Sequence, residues 1–337
     1  MQILFELSKE HPRISPDEIM ACFQADKIPY TRVFSSSDVL ILEAAITDQY
    51  LESLASRVAL CFSISRVLGA CTPHMEQLNS VLHTVTQPLQ GSVAVTYRNR
   101  SQTMSSPPFI QAIAEHFTRH NPVDLQHPDN EIRVILTDDL LVIGLCHRHI
   151  SRTSFEERKV QHRPFFSPIS LHPKWARALV NLSRIKPSHT LLDPFCGTGG
   201  FLLEAGLLGT QVIGADIEQK MIDGCAATLH QYKITPKNLF CCDIGQLPSL
   251  VDKVDAVVTD FPYGRSTTTK GETIEQLSQR AFHSIHQMVK PHGYIVLGLH
   301  DKQLVSFAED LFDLQTVYEQ PVHRSLTRWF AVFVNKP

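Results

Sequence analysis

The chain has 337 residues, 43% of them apolar and 19% charged, with a net charge of −3. That length is too great for one ordinary core and fits two or three domains, and the composition excludes a disordered chain. The small net charge announces no nucleic-acid ligand, but it hides a local excess: from Cys146 to Arg177 seven Lys or Arg stand against two acids.

No apolar run approaches the ~18 residues of a membrane span. The start, "MQILFELSKEH", has neither the basic stretch nor the apolar stretch of a secretory signal. A cytoplasmic protein with no membrane partner is expected. The eight cysteines form no Cys-x-x-Cys pair, which argues for reduced thiols and against a zinc ribbon.

In chain order, "QILFEL" reads as a strand and "SPDEIMACFQADK" as a helix, with Ser15 as N-cap, Pro16 at N1 and Glu18 at N3. "YTRVFSSSDVLILEAA" reads as two strands around a polar turn. "TDQYLESLASRVAL" is a helix capped by Thr47, and "FSISRVLGA" is a strand. The order strand-helix-strand-strand-helix-strand predicts a ferredoxin-like domain over 1–72. A second small α/β module is expected over 73–152, from "MEQLNSVLHTV" to "LLVIGLCHRH". Residues 153–168 carry mixed charge and two prolines and read as a linker.

From 169 to 337 strands and helices alternate, from "HTLLDPF" through "QVIGADI", "LFCCDI" and "VDAVVTDF" to "GYIVLGL". This predicts a doubly wound, mostly parallel sheet. "LQTVYEQPVHR" and "LTRWFAVFVNK" predict an antiparallel hairpin at one edge.

The join "LLDPFCGTGGFLLEAG" places Gly197, Gly199 and Gly200 between a strand and a helix, where the backbone can turn tightly against a ligand. A dinucleotide fingerprint would need glycine at 202, which is Leu202, and a P-loop would need Gly-Lys-Ser/Thr. What remains resembles the first motif of S-adenosylmethionine (SAM) methyltransferases, covering Asp193, Pro194, Cys196, Gly197, Thr198 and Gly199. Under that resemblance Asp193 supplies a carboxylate to a cofactor that carries an ammonium and a sulfonium. Asp216 receives ribose hydroxyls. Asp243 receives the adenine amino group, with Ile217 and Ile244 packing the ring. Cys196 is expected as a small residue packed beside the cofactor, not a nucleophile.

"TDFPYG" ends the fourth strand of this domain. Asp260, Phe261, Pro262 and Tyr263 resemble the (Asp/Asn)-Pro-Pro-(Tyr/Phe) motif of methyltransferases acting on amino nitrogens in planar systems, and Asp260 is expected to border the cofactor as well. An exocyclic amine is a poor nucleophile because its lone pair is conjugated into the ring. Hydrogen bonds from its N–H groups to Asp260 and to the carbonyl of 261 localise that pair, and Tyr263 stacks on the base. Phe261 departs from the motif's first proline: the carbonyl remains, the rigidity does not.

The stretches "VDLQHPDNEIRVIL" and "RPFFSPISLHPKWARALVNL", with "LDPFCGTGG" and "DFPYGRST", resemble THUMP-containing RNA methyltransferases, most closely the archaeal tRNA (guanine-10-N2) methyltransferase family. The resemblance covers about residues 90–300. It implies a Rossmann-like SAM domain behind a THUMP domain, and N2-methyl- or N2,N2-dimethylguanosine at position 10 of tRNA. It also implies phosphate contacts from Arg98, Arg100, Arg148, Arg152, Arg158, Lys159 and Arg163, and a substrate mouth at Arg265 and Ser266. Two other readings stay open: an amino-group methyltransferase acting on rRNA or another nucleic acid, and a non-catalytic tRNA-binding protein with a retained SAM fold. A need for a small activating protein subunit and the oligomeric state are likewise open. The pair His147-x-His149 lacks matched ligands nearby in sequence, so no metal is expected.

Overall fold

The computed structural model describes residues 1–85, 89–165, 170–262, 272–323 and 326–337. Two compact units divide the chain. One holds Met1–Pro16, Ile28–Ser56 and Leu60–Ser151; the other holds Asp17–Lys27, Arg57–Ala59 and Arg152–Pro337. No helix among the described residues is long and apolar enough to cross a membrane.

The elements up to residue 151 are β1 (Gln2–Leu7), α1 (Ile14–Ala25), β2 (Tyr30–Ser35), β3 (Val39–Ala44), α2 (Asp48–Arg57), β4 (Cys61–Cys71), α3 (Met75–Thr84), β5 (Val93–Asn99), α4 (Pro107–Thr118), β6 (Asn130–Leu136) and β7 (Leu141–His149). Among the described residues the strands form one sheet in the order β2-β3-β1-β4-β7-β6-β5. Its first four strands pair antiparallel, which is the ferredoxin-like arrangement expected for residues 1–72. β4 then pairs with β7 as well as with β1, so the stretches expected as separate modules, 1–72 and 73–152, share a sheet. Leu78, Leu82, Ile113 and Phe117 of α3 and α4 pack with Ile132, Val134, Leu141 and Ile143 of the sheet.

Thr47 caps α2 as expected, its Oγ1 accepting from the Tyr50 amide at 3.2 Å. The start of α1 differs from expectation. The helix begins at Ile14, one residue before the expected cap. The His11 ring Nδ1 accepts from the amides of Arg13 (3.1 Å) and Ile14 (3.0 Å). Ser15 Oγ donates back to the His11 carbonyl at 3.0 Å and caps nothing. Glu18, read as the other half of a capping box, is fully buried and accepts from the Ala59 amide at 2.8 Å. The imidazole of His11, four residues before Ser15, takes the role that the serine hydroxyl was expected to fill.

The second unit continues with α5 (Thr153–Glu157), α6 (Pro173–Leu182), β8 (Thr190–Asp193), α7 (Gly200–Gly206), β9 (Gln211–Asp216), α8 (Gln219–Gln231), β10 (Asn238–Cys241), β11 (Val254–Asp260), α9 (Ile274–Met288), β12 (Val289–Leu299), β13 (Phe312–His323) and β14 (Leu326–Asn335). Its sheet runs β10-β9-β8-β11-β12-β14-β13. The pairs from β10 to β12 are parallel, and β14 lies antiparallel between β12 and β13. Both the doubly wound sheet and its edge hairpin were expected. The chain moves outward one way through β9 and β10, then returns to start again at β11. That reversal beside β8 is a topological switch point, and ligands of such sheets bind outside the strand ends there. Beneath it lies a core of Leu192, Ile213, Val257, Phe282, Ile295 and Phe333, among others.

Of residues 153–168, expected as a linker, the described part, 153–165, is less free than that word implies. Thr153–Glu157 is helical, with Phe155 buried. The Arg158 guanidinium donates to both oxygens of Glu204 in α7, at 2.8 and 3.1 Å. Arg177 of α6 reaches the same fully buried carboxylate at 3.0 Å.

Candidate active site

β8 and β11 both end at the switch point, in Asp193 and Asp260. Asp193 is 1% exposed. Its Oδ1 accepts from Thr259 Oγ1 at 2.6 Å and from the Phe195 amide at 3.2 Å. Burial, with the neighbouring charges of Asp216 and Asp260, raises its carboxyl from 3.8 to about 7.

The glycine loop then turns. Gly197 (φ 49°) and Gly199 (φ 78°) occupy the left-handed region, and Gly199 is the N-cap of α7. A Cβ on Gly199 would stand 2.6 Å from Cys225 Sγ, so only glycine fits there. A Cβ on Gly197 would meet nothing within 4 Å, so that side of the loop faces open space. Pro194, Cys196 and Thr198 are buried beneath the loop. The Thr198 hydroxyl lies 3.0 Å from that of Ser170. The adjacent Cys225 thiol and burial push the Cys196 thiol well above its ordinary value. A thiol held protonated in this way is a weak nucleophile.

Asp216 ends β9 and clasps the loop: Oδ2 accepts from the Gly197 amide and Oδ1 from the Glu218 amide, each at 3.0 Å. Burial raises its carboxyl too. The carboxylate, with four lone-pair sites in all, retains capacity for a ligand hydroxyl. Ile217 is half-buried beside it, whereas Ile244 is a core residue at 3% exposure. Asp243 follows β10 and opens a 3₁₀ turn, accepting from the Gly245 amide at 2.8 Å. It also pairs with Arg280 of α9, which binds Glu272 at 2.7 Å as well. An adenine amino group would therefore share this carboxylate with a guanidinium.

Asp260 is 19% exposed at its side chain and lies 3.6 Å from Arg328 Nη2 of β14. The next residue repeats the sheet pattern, with the Phe261 amide donating to the Gly298 carbonyl at 2.9 Å. Gly298 itself makes room for the carboxylate, because a Cβ there would stand 2.3 Å from Asp260 Oδ1. The Phe261 ring is 1% exposed and packs against Phe195 (5.1 Å between centroids) and Phe282 (5.3 Å). The departure from the double-proline motif thus has a physical counterpart: a buried aromatic anchors this turn. Pro262 follows, half-buried. Tyr263, Arg265 and Ser266 lie outside the described residues.

The donor set fits a cationic cofactor. Three carboxylates, Asp193, Asp216 and Asp260, stand close enough for the latter two to raise the first. A positive ligand relieves that repulsion, and the Gly197 side of the loop is open to receive one. SAM affinity should therefore fall as pH drops through about 7, where Asp193 takes up a proton. The cofactor-free protein should respond in the opposite sense. With the carboxyl raised from 3.8 to about 7, its contribution to stability is fully present below about 4 and is lost as pH rises to about 7. Calorimetry and thermal melts across that range check both slopes, and Asp193→Asn should flatten each.

The expected RNA-contacting residues divide. Arg98 and Arg100, with Arg133, converge on the buried Glu6 at 2.7–3.4 Å. Arg100 also lies 3.7 Å from Asp38, so three guanidiniums face two carboxylates, and the Arg98 side chain is 51% exposed. Arg148 is 61% exposed and 3.7 Å from Glu52. Arg152 is half-buried, and Lys159 pairs with Glu156 one helical turn away. Arg158 and Arg163 do not fit the role. Arg158 is committed to Glu204. Arg163 is 6% exposed, with its Nε donating to the Arg158 carbonyl at 2.8 Å. Arg158 braces α7, and the buried Arg163 guanidinium is turned away from solvent. Sequence reasoning missed Thr259, Arg280 and Arg328, which carry no local signal. It also missed Gly298, whose place inside a strand was a readable sign of close approach.

Comparison with known proteins agrees with this geometry. The RMKL-like methyltransferase domain family matches residues 161–329, and the THUMP domain family matches 76–145. The tRNA (guanine(10)-N2)-dimethyltransferase of Methanothermobacter thermautotrophicus is 33% identical over 98% of this chain and 99% of its own length. The protein of the same name from Methanocaldococcus jannaschii is 36% identical over 63% of this chain and 59% of its own. Among solved structures, TrmN from Thermus thermophilus superposes with a TM-score of 0.60 at 19% identity, over 99% of this chain and 100% of that one, a likeness of fold. With half of the chain matched by the methyltransferase family and one third of nearly all its residues shared with an archaeal relative, the chain belongs to the THUMP-containing RMKL-like methyltransferases.

Proposed function

We propose that the protein methylates the exocyclic N2 amino group of a guanosine in tRNA, at position 10, from SAM, giving N2-methylguanosine and N2,N2-dimethylguanosine. The observation that carries the reading is the end of β11. There a partly exposed carboxylate, Asp260, and the carbonyl of an anchored residue, Phe261, stand beside the cofactor loop. The names of the archaeal relatives supply the acceptor and its position.

SAM supplies a methyl group activated by its sulfonium. The chain's part is to hold the acceptor nitrogen. Asp260 accepts one N–H of the guanine amino group and the Phe261 carbonyl accepts the other. Both interactions strengthen as positive charge grows on nitrogen, so they favour the transition state over the ground state. The proton leaves after nitrogen becomes cationic, and no strong base is needed. Positioning accounts for most of the acceleration. The Arg98 and Arg148 region supplies charge for the tRNA backbone, which makes binding salt-sensitive.

The test uses the full chain, labelled SAM and an unmodified tRNA transcript, with the nucleosides identified by mass spectrometry. N2-methylated guanosine, lost when guanosine 10 is replaced, is the expected result. A methylated adenosine or cytidine overturns the acceptor. Product formed only with added cell extract points to a small activating subunit.

A further inference from the structure

Among the described residues, Glu131, Cys146 and His149 bring three metal-ligating atoms within 4.8 Å of one another, far along the chain from the methyl-transfer residues. The sequence pointed to a different pair. His147-x-His149 alternates along a strand, but His147 Nε2 lies 3.1 Å from Glu52 of α2 and takes no part.

The arrangement depends on a β-bulge. Residues three apart on a regular strand face opposite sides of the sheet. Between β4 and β7, Ser65 pairs with Cys146 and the next residue of β4, counting back, pairs Ile64 with Arg148. His147 is therefore an extra residue on β7. The added residue shifts the alternation by one, and Cys146 and His149 come to the same face, with Sγ and Nε2 3.7 Å apart. On the other side β6 and β7 pair Ile132 with Leu145, so Glu131 stands one step on, opposite Cys146. Its Oε2 lies 2.7 Å from His149 Nε2.

We propose that Glu131, Cys146 and His149 form a binding site for one divalent cation of the zinc class, with a fourth position open to water. Thiolate, imidazole and carboxylate together are the donors that zinc takes in tetrahedral sites. Ligand atoms of such a site lie about 3.6 Å apart for sulfur and nitrogen, close to the 3.7 Å seen here. The histidine and carboxylate must part by about 0.6 Å from their hydrogen-bonded 2.7 Å. The ion replaces the proton on Cys146 and the proton at His149 Nε2, and both leave to solvent.

The carboxylate is already aimed. Thr96 Oγ1 donates to Glu131 Oε1 at 2.5 Å and accepts from Arg133 Nη1 at 3.3 Å. That leaves Oε2 toward the histidine and the sulfur, an outer-shell support of the kind metal sites use. The His149 side chain is 56% exposed, so the open position can reach water.

The test is a cobalt(II) titration of the full chain, stripped of metal and kept reduced. One equivalent of cobalt should produce a thiolate-to-cobalt band in the near ultraviolet with intense visible bands of tetrahedral geometry, and zinc should displace it. Cys146→Ser should abolish the ultraviolet band, and His149→Ala or Glu131→Ala should weaken zinc binding. Thr96→Val should weaken it by about tenfold. Because Cys241 is exposed and Cys242 half-buried elsewhere in the chain, the serine variant also decides location. A band that survives Cys146→Ser places the metal at another thiol and overturns the proposal. So does zinc binding that is unchanged in His149→Ala, or absent altogether. Thermal unfolding of each variant, followed by far-ultraviolet circular dichroism, verifies that the sheet bearing the site has folded.

Discussion

Asp260→Ala should lower methyl transfer by about 10²–10³-fold while leaving SAM affinity within a few-fold. The loss follows from what the carboxylate touches. It is partly exposed, at the end of β11, with Arg328 Nη2 at 3.6 Å. Asp260→Asn keeps one acceptor oxygen and should fall between the two. Gly298→Ala tests the same geometry without touching the acid. Its Cβ would stand 2.3 Å from Oδ1 and must push the carboxylate aside, so transfer should drop with the charge intact. Single-turnover assays on tRNA and calorimetry with SAM separate the two effects. Equal loss of transfer and of SAM binding would show that Asp260 serves the cofactor and not the amino group.

Phe261→Ala should destabilise the protein by about 3–5 kcal/mol, because a fully buried ring leaves a cavity among Phe195 and Phe282. Phe261→Pro is the more telling change, since it restores the residue usual in the motif. It also removes the ring and deletes the amide that donates to the Gly298 carbonyl, a further cost of about 1 kcal/mol. Thermal and denaturant unfolding should therefore show both variants well below the parent. The nucleoside product should not change, because the carbonyl at 261 remains in each. A proline variant as stable as the parent would sink the account of Phe261 as an anchor.

The parallel sheet was readable because its strands are apolar runs, each closed by an acid, and Asp193, Asp216 and Asp260 all sit where that pattern put them. Asp243 came two residues past its strand, as the cap of a 3₁₀ turn. Partners from distant strands were not readable. Thr259 points at Asp193 only because β11 lies beside β8. Arg328 reaches Asp260 only because β14 inserts next to β12. Charge counting failed for a related reason. Arg148 and Arg158 look alike in a basic stretch, yet one is 61% exposed at its side chain and the other is held by a buried glutamate. Lastly, the bulge at His147 is a property of pairing with β4, and nothing in "LCHRH" announces that Cys146 and His149 will share a face.

The interleaved course of the chain decides how the protein can be dissected. A piece ending near residue 160 keeps Glu18 and Arg57 but loses Asn181, which donates to Glu18 Oε1 at 2.8 Å and accepts from Arg57 Nε at 3.0 Å. A piece starting at residue 169 keeps the buried Glu204 but loses Arg158. Either cut removes one partner of a buried charge, leaving Glu204 with Arg177 alone and Glu18 with the Ala59 amide, at a cost in stability. Splicing the THUMP-bearing segment onto another catalyst, or swapping the catalyst behind it, therefore requires carrying Asp17–Lys27 and Arg57–Ala59 along with Arg152–Pro337. In this chain an interchangeable module is a set of three segments, not a length of sequence between two boundaries.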